Sequence, residues 1–223
     1  MKKKKKKMKK DFIKFCLIIL ILFGISTLVY YGIGPNIKNI YVLNNNYLSD
    51  QEIIDLAGLN TYPNFYTTSS SSIKKKLKSN ILVKDVKIKK RLFNKIYIYV
   101  DEYEVLFYNQ NTSKYVLENK KEVLLDGIVV PTLINYVPDT KYNTFINKYI
   151  LLDDKVKQKI SEIKYDPNTI DEDRFFLYMN DGNYVYITLT KMELLNKYNE
   201  AITKVEGKKG TLYLDSGNYF EIR

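Results

Sequence analysis

Two kinds of hydrophobic pattern divide the 223-residue chain. The first is an unbroken run of nineteen residues without a charge, 15–33. At about 1.5 Å per residue, such a run is long enough for a helix that crosses the hydrocarbon core of a bilayer. Beyond residue 36, apolar positions instead alternate with polar ones or recur every three to four residues, which indicates short strands and amphipathic helices. The pattern therefore predicts a transmembrane helix followed by a region of the α+β class.

The first elements after the apolar run are predicted from local signals. Alternation over residues 37–43 indicates a strand. Ser49 and Glu52 have the spacing of a capping box, which predicts that a helix begins there, and Gly58 suits the left-handed residue after its end. The residues predicted to face inward from this helix are Ile53, Leu56 and Ala57.

A second helix and a pair of strands complete this module. Ser72 is predicted to cap the helix, which turns Ile73 and Leu77 inward. Residues 83–102 then form two strands whose apolar face is predicted to comprise Val86, Ile88, Ile96, Ile98 and Val100. The opposite face carries Lys87, Lys89, Tyr97 and Tyr99. Two helices on one face of a three-stranded sheet make a small α+β module of the order β-α-α-β-β.

The positive charge of the chain is concentrated at its start. The chain has 36 basic and 25 acidic residues, but nine of the lysines and only one acidic residue lie within residues 1–14. Nucleic-acid binders usually concentrate basic residues on the domain that reads the nucleic acid. We therefore expect no nucleic-acid partner and interpret the Lys/Tyr face of the sheet as solvated.

The lysines next to the apolar run predict how the chain is oriented in a membrane. Loops on the cytoplasmic side carry an excess of Lys and Arg. We therefore expect the N-terminus to lie in the cytoplasm and its lysines to contact the lipid bilayer. The residues predicted to determine this topology are Lys9, Lys10 and Lys14.

A cleaved signal peptide is the alternative interpretation of this segment. Its apolar core would be about 7 to 15 residues long and would end at a small-x-small site. The run at 15–33 is longer and no such site follows it, so we predict an uncleaved anchor. The predicted organisation is a cytoplasmic tail at 1–14, a transmembrane helix at 15–33 and an extracytoplasmic remainder.

The residue inventory outside the apolar run argues against catalysis. The chain has no His, and its single Cys is Cys16 inside the run, so the outer region has no imidazole base, thiol nucleophile, Cys/His metal site or disulfide. No Gly-rich phosphate loop occurs either. Carboxylate clusters at residues 101–102, 153–154 and 171–173 leave a wall hydrolase as an alternative, which would need two acids facing each other across a cleft. We expect no enzyme activity, cofactor, metal or small-molecule substrate.

The second half of the chain is predicted to be richer in strands. A meander is indicated at residues 103–108, 114–118 and 121–125. Asp181-Gly182 is a strong hairpin signal between strands at residues 175–179 and 184–189.

Two helices are also predicted in this half. Val156, Ile160 and Ile163 are spaced as one face of a helix. Thr190 and Glu193 form a second capping box. It predicts a helix whose inward residues are Leu194, Leu195, Tyr198, Ile202 and Val205.

The lysine-rich tail, the single span and the β-α-α-β-β module together resemble the FtsQ/DivIB family of bacterial cell-division proteins. The first external domain of that family is a POTRA domain. One family pattern aligns with Ile37, Ile40, Val42, Asn45, Ser49, Glu52 and Ile53. A second aligns with Asn80, Val83, Val86, Ile88, Ile96, Ile98, Val100 and Glu102. The departures are Asn44 in place of Gly, Ile81 and Phe93 in place of Pro, and Lys90 in place of Arg.

The resemblance continues to the end of the chain. Residues 129–135 are similar to a family segment that ends in Gly, where this chain has Asn135. The last segment is similar to the closing strand of the family at Leu212, Leu214, Asp215 and Asn218.

The resemblance implies a fold and a role. It implies a POTRA domain at 34–103 and an extracytoplasmic β domain at 104–223 with C-terminal edge strands. It further implies a divisome scaffold at the septum, whose partners are FtsB/DivIC-like and FtsL-like bitopic coiled-coil proteins bound largely by strand addition. The candidate binding residues are Leu212, Tyr213, Leu214, Tyr219 and Phe220.

Two alternatives stay open. The same C-terminal residues would also be expected if the segment simply closed the sheet. A POTRA-bearing scaffold in secretion or adhesion would share the anchor and the module.

Overall fold

The computed structural model describes residues 2–223, and side chains from residue 11 onward except at residue 33. The chain divides into two compact units, Met1–Glu102 and Tyr103–Arg223, and each is considered separately below. Helices and strands occur in both, so the fold class is α+β, as the sequence predicts. Lys9 and Lys10, predicted to determine topology, lie outside the residues whose side chains are described, whereas Lys14 is exposed.

The first unit begins with a long helix, α1, at Lys2–Ile33. Within it, the 22 residues Asp11–Gly32 are long and apolar enough to cross a membrane. None of the most apolar part of this stretch is buried inside the protein. A core helix of a soluble protein would bury such a surface against its own domain, so α1 needs an apolar environment from elsewhere.

The rest of the first unit is a three-stranded sheet and two helices. Strand β1 runs parallel to β3, and β2 pairs antiparallel with β3, which gives the order β1-β3-β2. The predicted order β-α-α-β-β is confirmed. The elements are β1 Asn39–Leu43, α2 Asp50–Ala57, α3 Ser70–Leu77, β2 Val83–Arg91 and β3 Lys95–Glu102. The buried residues they share include Ile53, Ala57, Ile73, Leu77, Val86, Ile96, Ile98 and Val100.

Helix α2 begins and ends as predicted. The Ser49 hydroxyl accepts the Glu52 N–H at 3.3 Å, and the Glu52 carboxylate accepts the Ser49 N–H at 2.8 Å. Gly58 closes the helix in the left-handed conformation, with φ of 70°. The prediction that Leu56 faces inward is wrong, because a helix of eight residues buries only a narrow stripe and Leu56 is 38% exposed.

Helix α3 starts earlier than predicted. Its N-cap is Ser69 rather than Ser72, and the Ser69 side chain makes no capping bond. No side-chain capping bond marks this boundary, and Ile73 and Leu77 are buried as expected.

A single buried carboxylate fixes the loop between β1 and α2. Glu102, at the end of β3, accepts the backbone N–H groups of Asn46, Tyr47 and Leu48 at 2.6, 2.8 and 3.0 Å. Glu102 is only 9% exposed, so these bonds replace its hydration. The loop and the third strand are thereby held together across more than fifty residues of sequence.

The second unit is built on a nine-stranded sheet of order β12-β11-β10-β9-β8-β7-β4-β5-β6. Its first strands are β4 Val105–Asn109, β5 Lys114–Leu117, β6 Glu122–Val123 and β7 Thr132–Leu133. Two helices follow, α4 Asp139–Tyr149 and α5 Asp154–Lys157. Next come β8 Ile160–Tyr165, β9 Arg174–Met179 and β10 Tyr184–Thr188. A 3₁₀ helix Leu189–Lys197, α6 Tyr198–Thr203, β11 Gly210–Tyr213 and β12 Tyr219–Ile222 complete it.

One core joins the helices of this unit to the sheet. Phe145 and Tyr149 of α4, Leu195 of the 3₁₀ helix and Tyr198 of α6 are each at most 1% exposed and pack with the inward residues of the strands. The other face of strands β9 to β12 carries tyrosines and a phenylalanine that are half-buried or exposed.

The predicted helix through Val156, Ile160 and Ile163 is wrong. Val156 lies in α5, whereas Ile160 and Ile163 are buried residues of strand β8. The register of β8 against β9 shifts between Ile160 and Glu162, which marks a bulge. A bulge adds one residue to the strand, so two inward residues are spaced by three and imitate a helical pattern.

The helix predicted from Thr190 and Glu193 forms differently. It is a 3₁₀ helix from Leu189, its N-cap Thr188 makes no side-chain capping bond, and an α-helix follows only from Tyr198. Leu195 and Tyr198 are buried as predicted, and Leu194 and Ile202 are partly buried. The hairpin at Asp181-Gly182 is confirmed, with Gly182 at φ of 85°.

We expect the Glu102→Gln substitution to destabilise the first unit by about 1–3 kcal/mol. Both carboxylate oxygens of Glu102 accept backbone N–H groups. In glutamine one of these oxygens is replaced by an NH₂ group, which is a donor and cannot accept them. Thermal unfolding of the full chain in detergent, followed by circular dichroism, would measure the change. The matched control is Asp101→Asn, at the exposed neighbouring residue. Equal melting of both variants and the wild type would contradict the role assigned to Glu102.

Candidate partner-binding edge

Strand β12 forms one edge of the second sheet. Within residues 2–223, it pairs only with β11, in the register Gly210↔Ile222 to Tyr213↔Tyr219. The Arg223 N–H donates to the Lys209 carbonyl at 3.0 Å. Because hydrogen-bonded pairs alternate along an antiparallel ladder, Tyr219 and Glu221 also direct their backbone groups toward β11. The N–H and C=O groups of Phe220 and Ile222 then point away from the sheet, where an added strand could bond to them.

The close approach of β11 and β12 depends on a glycine. A Cβ atom at Gly210 would lie 1.9 Å from the Glu221 carbonyl oxygen and 2.8 Å from the Phe220 ring. No side chain larger than hydrogen fits this contact without moving β12. Gly210 therefore permits the edge strand to sit where it does.

A buried asparagine holds the start of β11. The Asn183 side-chain oxygen accepts the Gly210 N–H at 3.1 Å, and its Nδ2 lies 3.3 Å from the Tyr198 hydroxyl. That hydroxyl donates to the Asp181 carboxylate at 2.9 Å. Burial raises the pKa of Tyr198, so its hydroxyl keeps the proton that it donates. The β9–β10 turn, α6 and β11 are thus joined by one hydrogen-bond network.

The two ends of the β11–β12 hairpin are also fixed. At the turn, Lys191 Nζ donates to the Asp215 carbonyl at 2.6 Å, and the Asp215 carboxylate lies 3.8 Å from the Arg174 guanidinium. At the far end, the Arg223 guanidinium donates to the Gly182 carbonyl at 2.9 Å. The hairpin is therefore held in place while its outer edge stays open.

The five candidate residues named from the sequence fall into two groups. Leu212 and Leu214 are 4% and 7% exposed and belong to the core, and Phe220 packs partly against it. Tyr213 and Tyr219 lie on the opposite face and stack with ring centroids 4.7 Å apart. Tyr219, at 50% exposed, is the most exposed of these five residues.

Ile222 is an accessible residue of the edge that sequence reasoning missed. It is 53% exposed, and its backbone groups point outward. Its position two residues after Phe220 was the available signal, because residues at that spacing share a face of a strand.

The stacked tyrosines continue as an aromatic row across the sheet. Tyr186 stacks on Tyr213 at 5.4 Å and contacts Phe176 at 4.5 Å. The Arg174 guanidinium lies 4.4 Å over the Tyr186 ring, and that of Arg223 lies 4.2 Å over Tyr184. Alternation of aromatic residues in β9 and β10 could have revealed this row from the sequence.

On the helix-covered face, a cleft of about 240 Å³ lies beside β11. Its lining includes Leu194, Ala201, Lys204 and Leu214. Side chains of an added strand alternate between the two faces of the sheet. The edge therefore offers a cleft on one face and the aromatic row on the other.

Each carboxylate cluster contains a residue with a structural partner. Glu102 accepts three backbone bonds, Asp154 lies 3.5 Å from Lys157, and Asp173 is paired with Lys141. Among the residues that the structure describes, no group of three or more metal-ligating side chains is found. The chemistry that this geometry supports is binding through backbone and apolar groups.

Comparisons with known proteins agree on one family. Residues 36–103 match the family described as "POTRA domain, FtsQ-type". Cell division protein DivIB of Bacillus subtilis is 33% identical over 227 residues, covering 98% of this chain and 86% of the relative. The DivIB protein of Listeria monocytogenes is 28% identical over 234 residues, covering 97% and 85%. The similarity therefore extends over nearly the whole chain.

A solved structure was also matched, with a lower similarity. It is the major extracytoplasmic domain of the trans isomer of cell division protein DivIB from Geobacillus stearothermophilus. The match covers 48% of this chain and 96% of that chain, with 24% sequence identity and a TM-score of 0.40.

We expect the Gly210→Ala substitution to displace β12 from β11, because the added methyl group would overlap the Glu221 carbonyl. Hydrogen exchange of the backbone amides of residues 219–223, measured on the full chain in detergent, should accelerate at least about tenfold, as expected for loss of about 1.4 kcal/mol of local stability. Gly217→Ala, in the same hairpin, is the control, since the nearest side-chain atom would lie 3.3 Å away. Unchanged exchange in Gly210→Ala would show that β12 does not depend on this contact.

Proposed function

Because the chain belongs to the DivIB family of bacterial cell-division proteins, we propose that it is a non-enzymatic scaffold of the division machinery at the septum. The resemblance noted in the sequence motifs is confirmed by the relatives that align with almost the entire chain. In this proposal, the protein acts by gathering other division proteins at one place in the membrane.

The proposed partners are small bitopic coiled-coil proteins of the FtsB/DivIC type, with FtsL-like proteins bound alongside. The observation that carries this proposal is the open edge of β12, where the backbone groups of Phe220 and Ile222 face outward. A partner segment in extended conformation would add a strand there and bond to those groups. Its alternate side chains would meet the cleft beside β11 and the ring of Tyr219.

The edge has some of the usual protections against strand addition, because β12 is short and carries Glu221, but it lacks others. Natural edge strands commonly carry Lys, Pro or a bulge. Strand β12 has the sequence Tyr219–Ile222 with neither Lys nor Pro, and its pairing with β11 shows no register shift. An edge without Lys, Pro or a bulge that also exposes Tyr219 and Ile222 fits a binding surface better than a closed sheet.

Membrane anchoring is the second part of the proposal. Helix α1 would cross the bilayer, with the tail at 1–14 in the cytoplasm because of Lys9, Lys10 and Lys14. The span at 15–33 would then be followed outside the membrane by a POTRA domain at 34–103 and a β domain at 104–223. The POTRA match at 36–103 supports the first of these two external domains.

Recovery of partners from membranes of the source cell tests the strand-addition proposal. We expect Ile222→Pro in the full chain to reduce recovery of a small bitopic coiled-coil protein at least about tenfold, which corresponds to about 1.4 kcal/mol. Proline removes the outward N–H at this residue, and that N–H does not take part in the pairing with β11. Ile222→Val is the control, because it keeps the N–H and most of the side chain.

The outcomes separate the parts of the proposal. Equal recovery by both variants would contradict strand addition at β12 and leave a scaffold that binds elsewhere. If the wild-type chain recovers no bitopic coiled-coil protein, the division-scaffold proposal itself is contradicted. A secretion or adhesion scaffold would then be the better hypothesis.

A further inference from the structure

The connection between α1 and the three-stranded sheet is held by hydrogen bonds along its length. The Phe65 N–H donates to the Pro35 carbonyl at 2.7 Å, and the Ile37 N–H donates to the Pro63 carbonyl at 3.0 Å. Ile37 itself is 2% exposed. Residues 34–38 are therefore part of the folded domain and do not form a free linker.

Asn94, in the turn between β2 and β3, completes this attachment. Its Nδ2 donates to the carbonyls of Gly34 and Asn36 at 2.7 and 2.8 Å, and its own carbonyl accepts the Lys38 N–H at 3.0 Å. Asn94 is 3% exposed and has φ of 55°, a conformation that Asn tolerates. The β2–β3 turn is thus bonded directly to the residues that follow the candidate span.

This attachment sets the height of the turn relative to a bilayer. The 22 residues Asp11–Gly32 span about 33 Å at 1.5 Å per residue, close to the hydrocarbon thickness of about 30 Å. Gly34, which bonds to Asn94, follows two residues later. The turn must therefore lie within a few ångströms of the boundary between hydrocarbon and headgroups, whose headgroup layer is about 5–8 Å thick.

The turn exposes large apolar side chains at that height. Leu92 is 82% exposed and Phe93 is 64% exposed. Together with Tyr66, which is 56% exposed, they line a cleft that also includes Val29 of α1, a residue inside the candidate span. If α1 lies in a bilayer as proposed, these side chains are at the depth of its last turn.

The backbone conformation of Phe93 is a second, independent observation that points to a contact between this turn and something outside the domain. Its φ is 61°, in the left-handed region, where Gly or Asn is favoured and a bulky residue is an outlier. The strain is not compensated by burial within the domain, because the ring remains mostly exposed. Such strain persists where the surrounding structure holds the residue in place, here through the bonds of the adjacent Asn94, and residues held in this way are often found at binding sites.

The charge around the turn fits a lipid surface. Lys90, Arg91 and Lys95 flank Leu92 and Phe93, and Lys38 lies on the attached segment. The segments at 34–38, 60–68 and 87–97 contain no acidic residue. Apolar and aromatic residues surrounded by basic ones are the composition that binds the interface of an anionic membrane.

We propose that the β2–β3 turn inserts Leu92 and Phe93 into the interface of the outer leaflet, with Arg91 and Lys95 among the lipid headgroups. This inference rests on the proposed membrane anchoring by α1. The POTRA domain would then contact the bilayer at two places, the end of α1 and the turn, and the second contact would restrain its tilt further.

A single-tryptophan experiment tests this insertion. The chain has no Trp, so Phe93→Trp introduces the only indole. The full chain is reconstituted into vesicles of phosphatidylethanolamine and phosphatidylglycerol in which a fraction of the acyl chains carry bromine. The control is Ile81→Trp, 36% exposed and at the other end of β2, about 30 Å away along the strand.

The expected result is blue-shifted emission of Phe93→Trp and quenching by brominated lipid at least about threefold stronger than for Ile81→Trp. Because brominated lipids are present in both leaflets, the orientation of the chain in the vesicle does not affect the comparison. Equal, weak lipid quenching of both variants, with equal access to acrylamide from water, would overturn the proposal.

Two further measurements keep the test decisive. Flotation of the same vesicles shows whether the chain is membrane-bound; failure to float would contradict the anchoring by α1, whereas floating without lipid quenching would contradict insertion of the turn alone. Leu92→Trp serves as a second reporter. In the double variant Leu92→Trp/Phe93→Asn, the asparagine relieves the left-handed strain and removes the inserted ring. We expect its thermal stability to be higher, and the lipid quenching of its Trp to be weaker, than in Leu92→Trp alone. Unchanged quenching would contradict the role assigned to Phe93.

Discussion

Backbone N–H and C=O groups removed from water must find hydrogen-bond partners, and this constraint organises both units of the chain. Three buried polar side chains meet it where strands and helices cannot. Glu102 serves the loop before α2, Asn94 serves the segment after α1, and Asn183 serves the start of β11. Each joins segments that are far apart in sequence, so each determines a tertiary arrangement. At the outer edge of β12 the backbone groups of Phe220 and Ile222 face outward without a partner strand among residues 2–223, and this makes it the candidate site.

The residue composition explains why Asn, Glu and Tyr side chains join the distant segments of this chain. Outside α1 the chain has neither His nor Cys, so neither metal ligation by these residues nor disulfides can hold its loops. Asn offers both a donor and an acceptor on one short side chain, which suits a turn that must bond to two segments at once. Tyrosine adds a large apolar ring with a polar end, as the buried Tyr198 and the exposed Tyr219 illustrate.

The sequence signals that succeeded depend on local contacts, although not every local signal held, since the capping box predicted from Thr190 and Glu193 did not form. The capping box of Ser49 and Glu52 and the hairpin at Asp181-Gly182 involve residues within four positions of each other. Other sequence signals failed where contacts with residues far away in the sequence determine the local structure. The bulge in β8 imitates a helical spacing, and α4 was not anticipated because its buried residues depend on the sheet beneath it. The backbone groups that bond to the side chains of Asn94 and Asn183 lie 27 to 60 residues away, so no local pattern could identify these side chains as the fixed points of the candidate surfaces.

The two proposed surfaces complement each other energetically. Strand β12 has four residues, and only two of them direct backbone groups outward, so strand addition alone would form few hydrogen bonds. A bitopic partner, however, is confined to the same membrane, and confinement raises its effective concentration without any new contact. The effective concentration rises further when the external domain has fewer orientations to sample. Contact of the β2–β3 turn with the bilayer would leave the POTRA domain fewer orientations than attachment by α1 alone.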